Sequence, residues 1–199
     1  MKFTKKLIWP YRFFLRKLIL TKNWYIPNLK RIINKKIVLI GNTPSINQHT
    51  IISGRGKLIV GKNCVFGYKP GGRHRHGCIE LQSRFEDALI KIGNNVATNN
   101  NLFICAAQYI KIGDNTLIGE GVTIMDFEAH GIHPDNRRQV GEIGSIEIGS
   151  NVWIGNNVTI LKNTKIGDNT IIATGAVVSG IFPADVVVGG VPAKVIKQL

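Results

Sequence analysis

From Ile92 onward one class of small or aliphatic residue recurs at every sixth position. Ile92, Thr98 and Ile104 make one series, and Ile112, Ile118 and Ile124 the next. Ile148, Ile154, Ile160, Ile166, Ile172 and Val178 then run without a slip. An amphipathic helix repeats about every 3.6 residues and an alternating strand about every 2, so neither carries this pattern. A parallel β-helix does, with one short strand and one turn per hexad. Three hexads, about 18 residues, close a triangular coil. Successive coils stack roughly 4.8 Å apart and superpose their inward side chains. Tetrads such as Ile112-Gly113-Asp114-Asn115 supply the corners, where Gly and Asn are expected to take left-handed backbone angles cheaply. The fold expected is all-β: a parallel β-helix over 37–188, with 37–78 as degenerate coils, an N-terminal extension over 1–36 and a tail over 189–199.

Charge is divided unevenly along the 199 residues. The first acidic residue is Glu80, and 17 of the 26 Lys and Arg precede it. Such a bias concerns partners rather than fold and fits an anionic surface, an acidic glycan or a phosphorylated carrier. No helix-turn-helix, zinc-finger or RNA-recognition pattern accompanies it, so nucleic acid is not the expected partner. Cys64, Cys78 and Cys105 are odd in number and lack CxxC spacing, which reads as reduced thiols in a cytoplasmic protein. The N-terminal stretch is broken by Pro10 and Arg12 and has no small-residue cleavage site, so neither a signal peptide nor a membrane span is expected there. A short helix from Tyr11 to Leu20, with Phe14 and Leu18 on one side, has two readings. It lies in an anionic membrane interface, or it packs on the protein itself or a neighbouring subunit.

The register breaks once, over 130–147, in a loop whose lead-in and body run from Met125 to Ser145. A loop thrown out of a rigid coil is a favoured place for function. This one carries Asp126, Glu128, His130, His133, Asp135 and Arg137.

The tandem hexads, the following Ser150–Ile160 stretch and the tail Gly189–Leu199 resemble the left-handed β-helix acyltransferases, specifically their sugar O-acetyltransferase branch of galactoside, maltose and capsule or lipopolysaccharide enzymes. The resemblance covers roughly Ile92 to Leu199 and implies the left hand of the coil. It implies acetyl-CoA as co-substrate, no metal, a glycan acceptor, and a homotrimer with active sites between neighbouring coils. In that branch an acid, spacer, acid, spacer, His pattern with a following Arg maps to Asp126, Glu128, His130 and Arg137. His130 is then the general base, favoured over His133 and oriented by Glu128 or Asp126, while Arg137, and His133 if it is not the base, touch acceptor. A neutral imidazole suits this role, because a sugar hydroxyl needs its proton removed as it attacks the thioester. Asn99, in an Asn-x-Asn-Leu stretch, and the outward Trp153 are implied at the acceptor. Asn156, Thr174, Gly175, Ser179, Gly190, Lys194 and Lys197 are implied along the coenzyme. The chain departs from its relatives at Ser179–Pro183, where a lysine common to them is missing.

Three other readings compete. The first is N-acetylation of a nucleotide-linked amino sugar or an antibiotic. The second is a γ-carbonic-anhydrase-like hydratase, which needs three converging imidazoles. The third is a scaffold of stacked coils, which has no use for the His loop and the tail together. His74 and His76 form at most a weak metal pair, disfavoured by Arg73 and Arg75.

Overall fold

The computed structural model describes Phe14, residues 17–74 and residues 76–199. Half of the expected Tyr11–Leu20 helix, including Arg12 and Arg16, lies outside the described residues, as does Arg75.

The strands wind into three parallel faces of a prism. The first face stacks Ile37–Leu39, Lys57–Val60, Leu89–Ile92, Tyr109–Ile112, Ser145–Ile148, Thr164–Ile166 and Ile181–Phe182. The second stacks Ser45–Ile46, Val65–Phe66, Ala97–Thr98, Leu117–Ile118, Trp153–Ile154, Ile171–Ile172 and Val186–Gly190. The third runs from Thr50–Gly54 through Ile79–Ser83, Phe103–Ala106, Thr123–Met125 and Thr159–Ile160 to Val177–Val178. Each circuit passes first, second and third face in order, and in-register pairing puts like on like. Ile112 lies between Ile92 and Ile148, and Ile124 between Ile104 and Ile160. These columns are buried and form one continuous core. Full burial of such a side chain contributes about 1.5–3 kcal/mol, which is why the six-residue spacing tolerates so little drift.

The corners divide their work differently from the expectation. Asn takes the left-handed backbone, with φ +55 at Asn95, +57 at Asn115 and +56 at Asn151. Its side chain also reaches its counterpart one coil on, as in Asn95 to Asn115 at 3.0 Å and Asn151 to Asn169 at 2.9 Å. The Gly before it keeps an ordinary φ and is needed for close stacking. A Cβ on Gly113 would lie 2.4 Å from the carbonyl oxygen of Gly149. The intervening Asp or Asn accepts from the preceding coil, as Asp114 does from the N–H of Asn94 at 2.8 Å. That bond holds the Asp114 carboxyl below its usual range.

Helical structure continues past Leu20 to Ile33, with a π-turn at Thr21–Tyr25 leading into a helix at Ile26–Ile33 (α1). The wider turn accommodates Pro27, which has no N–H to give to the preceding turn. Trp24 is buried in the same core as the coils and packs near Phe66, with ring centroids 6.2 Å apart. Asn28 acts as a substitute strand residue. Its amide donates to the carbonyl of Thr50 and its oxygen accepts from the N–H of Ile52, on the edge strand of the third face. Arg31 continues the line by donating to the carbonyls of Gly54 and Gly56. This helix therefore caps the N-terminal end of the prism. At the other end Ala193–Gln198 turns back antiparallel on Val186–Gly190.

Candidate active site

Two insertions leave the coil at two different corners. The first, residues 67–78, lies between the second and third faces. Asn100, fully buried, holds it by accepting from the N–H of Tyr68 and donating to the carbonyls of Tyr68 and Gly72. Gln48 donates to the carbonyl of Arg73, and His74 Nε2 lies 2.8 Å from the carbonyl of Asn47. Beside this loop, on the outer side of the second face, is a cavity of about 310 Å³. Tyr68, Asn99, Leu117, Trp153 and Asn156 are among the residues lining it, and Tyr68, Leu117 and Trp153 are exposed. Thr174, Gly175 and Gly190 continue the same corner on later coils, and Lys194 and Lys197 stand exposed on the antiparallel strand at the far end of the same face.

The second insertion leaves between the third and first faces and is a hairpin. Its arms are joined by Glu128 N–H to the carbonyl of Glu142, Gly141 N–H to Glu128 and Gly131 N–H to Gln139. Its tip holds a short 3-10 turn at Pro134–Asn136. Asp126 clamps the base. Its buried carboxylate accepts from the N–H groups of Ala107 (2.6 Å), Gln108 (3.0 Å) and Tyr109 (2.7 Å). Burial pushes its carboxyl up, against the pull of these donors. Lys162 clamps the next coil by bridging Glu128, at 3.3 Å, and Glu142. That ion pair holds the Glu142 carboxyl below and the Lys162 ammonium above their usual values. Phe127 is buried beneath the guanidinium of Arg84, 4.8 Å from the ring centroid.

His130 is exposed on this stiff arm, and its Nδ1 lies 2.8 Å from the carbonyl oxygen of Arg137. A carbonyl only accepts, so Nδ1 carries the proton and Nε2 is the basic nitrogen of the neutral ring. The orienting carboxylate expected from sequence is thus replaced by a backbone carbonyl. Asp126 is used up by three N–H groups, and Glu128 faces Lys162 and the N–H of Glu142. Arg137 contributes that carbonyl while its side chain stays exposed; His133 is exposed and lies 3.4 Å from Asp135.

One chain therefore brings Asn99, Trp153 and Asn156 together at one cavity. It sets His130, His133 and Arg137 on the hairpin at another corner. Ser179 sits on the hairpin's corner, one coil beyond Asn163, and apart from Thr174 and Gly175. Tyr68, Asn100, Gln48 and Lys162 escaped the sequence reading. The signal for the first three was the interruption of the hexads at 67–78, and for Lys162 its place opposite the 130–147 break. Among the described residues no group of three His, Cys, Asp or Glu is arranged to hold a metal ion. Cys105 is buried, donates to Gln82, and its thiol is pushed up to about 11 by desolvation.

Residues 145–180 match the bacterial transferase hexapeptide (six repeats) family. The chain is 42% identical over 112 residues to the galactoside O-acetyltransferase of Escherichia coli K12, covering 55% of this chain and 54% of that one. It is 36% identical over 126 residues to WbbJ of the same strain, named for lipopolysaccharide biosynthesis O-acetyl transfer, covering 57% and 63%. Among solved structures, a galactoside acetyltransferase in complex with coenzyme A superposes with a TM-score of 0.53 at 23% identity, covering 100% of this chain and 85% of that one. The fold is thus the left-handed parallel β-helix, built on the hexapeptide repeat. The chain spans a little over half the length of the curated relatives it matches.

Proposed function

We propose that this protein is an acyltransferase that moves an acetyl group from acetyl-CoA to a sugar hydroxyl of a glycan, with His130 as general base. The observation that carries the reading is the exposed imidazole on a clamped hairpin, held through Nδ1 so that Nε2 is free to accept a proton. In the reaction the sugar O–H gives its proton to Nε2 as its oxygen attacks the thioester carbonyl carbon. The tetrahedral intermediate collapses, the C–S bond breaks, and the imidazolium returns the proton to the coenzyme thiolate. Direct transfer in a ternary complex suits a site whose one candidate thiol near the hairpin, Cys105, is buried and strongly protonated. Glu128 and Asp126 act here as positioning residues for the hairpin.

The acceptor sits at the cavity of Tyr68, Asn99 and Trp153, with the coenzyme along Asn156, Thr174, Gly175 and Gly190 toward Lys194 and Lys197. Because His130 and Ser179 occupy a different corner, a second copy must supply one half of each site, and a homotrimer does this around a threefold axis. His133 and Arg137 then approach the acceptor from the neighbour's hairpin. The glycan is anionic or lipid-linked and the enzyme works in the cytoplasm, in peripheral contact with the membrane. These assignments are supported by the names of the relatives and by the acid-free N-terminal third.

The test is release of coenzyme A thiol with acetyl-CoA and a panel of glycans. His130→Ala should lose about 10²–10⁴-fold in kcat/KM, a usual worth of general base catalysis. His133→Ala should stay within about tenfold of wild type, as befits a substrate contact. Full activity in His130→Ala overturns the proposal.

A further inference from the structure

We propose that the N-terminal end of the prism is a docking face for an anionic membrane surface, with a pocket for a lipid phosphate beside an apolar ridge. This deepens the peripheral contact suggested above by naming its site.

α1 lies along the edge strand Thr50–Gly54, as the contacts of Asn28 and Arg31 show, so its outer side is the end of the molecule. That side carries Ile26, Leu29 and Ile33, exposed by 67%, 56% and 67%. Their i, i+3, i+7 spacing is a single stripe. Phe14 and Leu18, exposed by 60% and 49%, precede it. An apolar stripe left in water on a helix seated on its other side through Asn28 and Arg31 is the pattern of an interfacial element.

Next to the stripe is a second cavity, of about 320 Å³, lined by Lys30, Arg31, Asn34, Lys36, Gly54, Arg55 and Glu86. Four cations face one carboxylate, and Lys36 already engages Glu86 at 2.5 Å. Arg31 uses its terminal nitrogens on two neutral carbonyls, while its Nε is buried with no hydrogen-bond partner. That Nε lies out of a ligand's reach and Glu86 stands near the Arg31 guanidinium, so the groups open to a ligand oxygen are the exposed ammonium of Lys30 and guanidinium of Arg55, a cluster of like charge. Phosphate matches it, since guanidinium and ammonium together hold phosphate oxygens by short, charge-assisted bonds. Free phosphate would leave the ridge in water, and a second copy of this face would set the same four cations against each other. A phospholipid surface satisfies both parts at once. Among the described residues no helix is long and apolar enough to cross a membrane. The acceptor cavity begins at Val65 on the second coil, about 5 Å from the edge strands at the usual coil spacing, and the thickness of α1, about 10 Å, separates those edges from the ridge. A lipid-linked acceptor held there stays within reach of its own membrane.

The experiment is flotation of the full chain with phosphatidylcholine vesicles, with and without phosphatidylglycerol. Wild type should bind the anionic vesicles, and binding should fall about tenfold or more in Lys30→Glu/Arg55→Glu and in Leu29→Asp/Ile33→Asp. All these proteins should keep the wild-type melting temperature and turnover with a soluble acceptor. Equal vesicle binding by wild type and either variant overturns the proposal. Inorganic phosphate bound by a wild type that ignores vesicles makes the pocket a free-anion site, and a changed sedimentation mass in Leu29→Asp/Ile33→Asp makes the ridge a protein interface; each also overturns it. Vesicle binding without any acetyl transfer would instead sink the catalytic reading and leave this one standing.

Discussion

Asp126→Asn separates a structural carboxylate from a catalytic one. Asp126 accepts three consecutive backbone N–H groups, from Ala107, Gln108 and Tyr109, whereas the Nδ1 of His130 is engaged by the carbonyl of Arg137. Asn fills the same space but has one accepting oxygen, and its NH2 faces at least one of those donors. Losing a bond to a charged group costs about 1.5–3 kcal/mol, and a stranded buried N–H adds about 1–3 kcal/mol. Burial already opposes the ionised form, which offsets part of what the three bonds contribute. The two costs together span about 2.5–6 kcal/mol, so the expected loss is in the lower part, about 2.5–3.5 kcal/mol, a large share of the usual 5–15 kcal/mol. Urea unfolding followed by far-ultraviolet circular dichroism measures it. Turnover should fall because the hairpin base loosens, while the pH at which kcat/KM declines should not move. An unfolding free energy within about 0.5 kcal/mol of wild type would refute the clamp. A displaced pH limb would show that Asp126 addresses His130 after all.

Other expectations follow from the corners and the thiols. Asn115→Ala, at φ +57, should cost about 1–2 kcal/mol from backbone strain alone, whereas Asn115→Gly should be milder; thermal melts of the pair decide it. Burial pushes all three thiols up, but Cys64 and Cys105 are buried and Cys78 is half-buried, so native protein should react with a thiol reagent first at Cys78, and at all three once unfolded. Rapid labelling of Cys105 in the native state would contradict its packing. Glu142 has its carboxyl lowered by Lys162, so the pair stabilises above the ordinary value of 4.5 and the benefit fades as pH falls through the lowered one. The melting difference between wild type and Glu142→Gln should vanish with it; a difference that persists in acid would rule out the ion pair as its source.

The later coils were plainly written in the chain, because a buried column needs the same kind of side chain at each level and nothing else repeats at six. The earlier coils were harder to see. Val60 and Leu81 occupy the same columns as Ile92 and Ile104, yet the 67–78 insertion sets Phe66 and Leu81 fifteen residues apart and the wide corner at 84–88 sets Leu81 and Ile92 eleven apart, so the six-residue count is lost there. The helix beyond Leu20 was hidden by Pro27, which usually argues against continuation, and only the π-turn before it resolves the conflict. His130 stood out by composition and place. What holds it did not, since a carbonyl such as that of Arg137 has no signature in a sequence, and an acid reads the same whether it faces an imidazole or three N–H groups.

A parallel coil exposes a bare row of N–H and C=O groups at each end, and any like edge can extend it. Asn28 closes the third-face edge at one end with a single side-chain amide, and the returning strand Ala193–Gln198 covers the second face at the other. The number of coils is thus set by its two terminators rather than by anything in the repeat. Additional hexads would lengthen the rod in steps of about 4.8 Å and leave both ends unchanged. Loss of the Asn28 amide would leave the N–H of Ile52 and the carbonyl of Thr50 on that edge without their side-chain partner, as the first bonds of the row open to another strand.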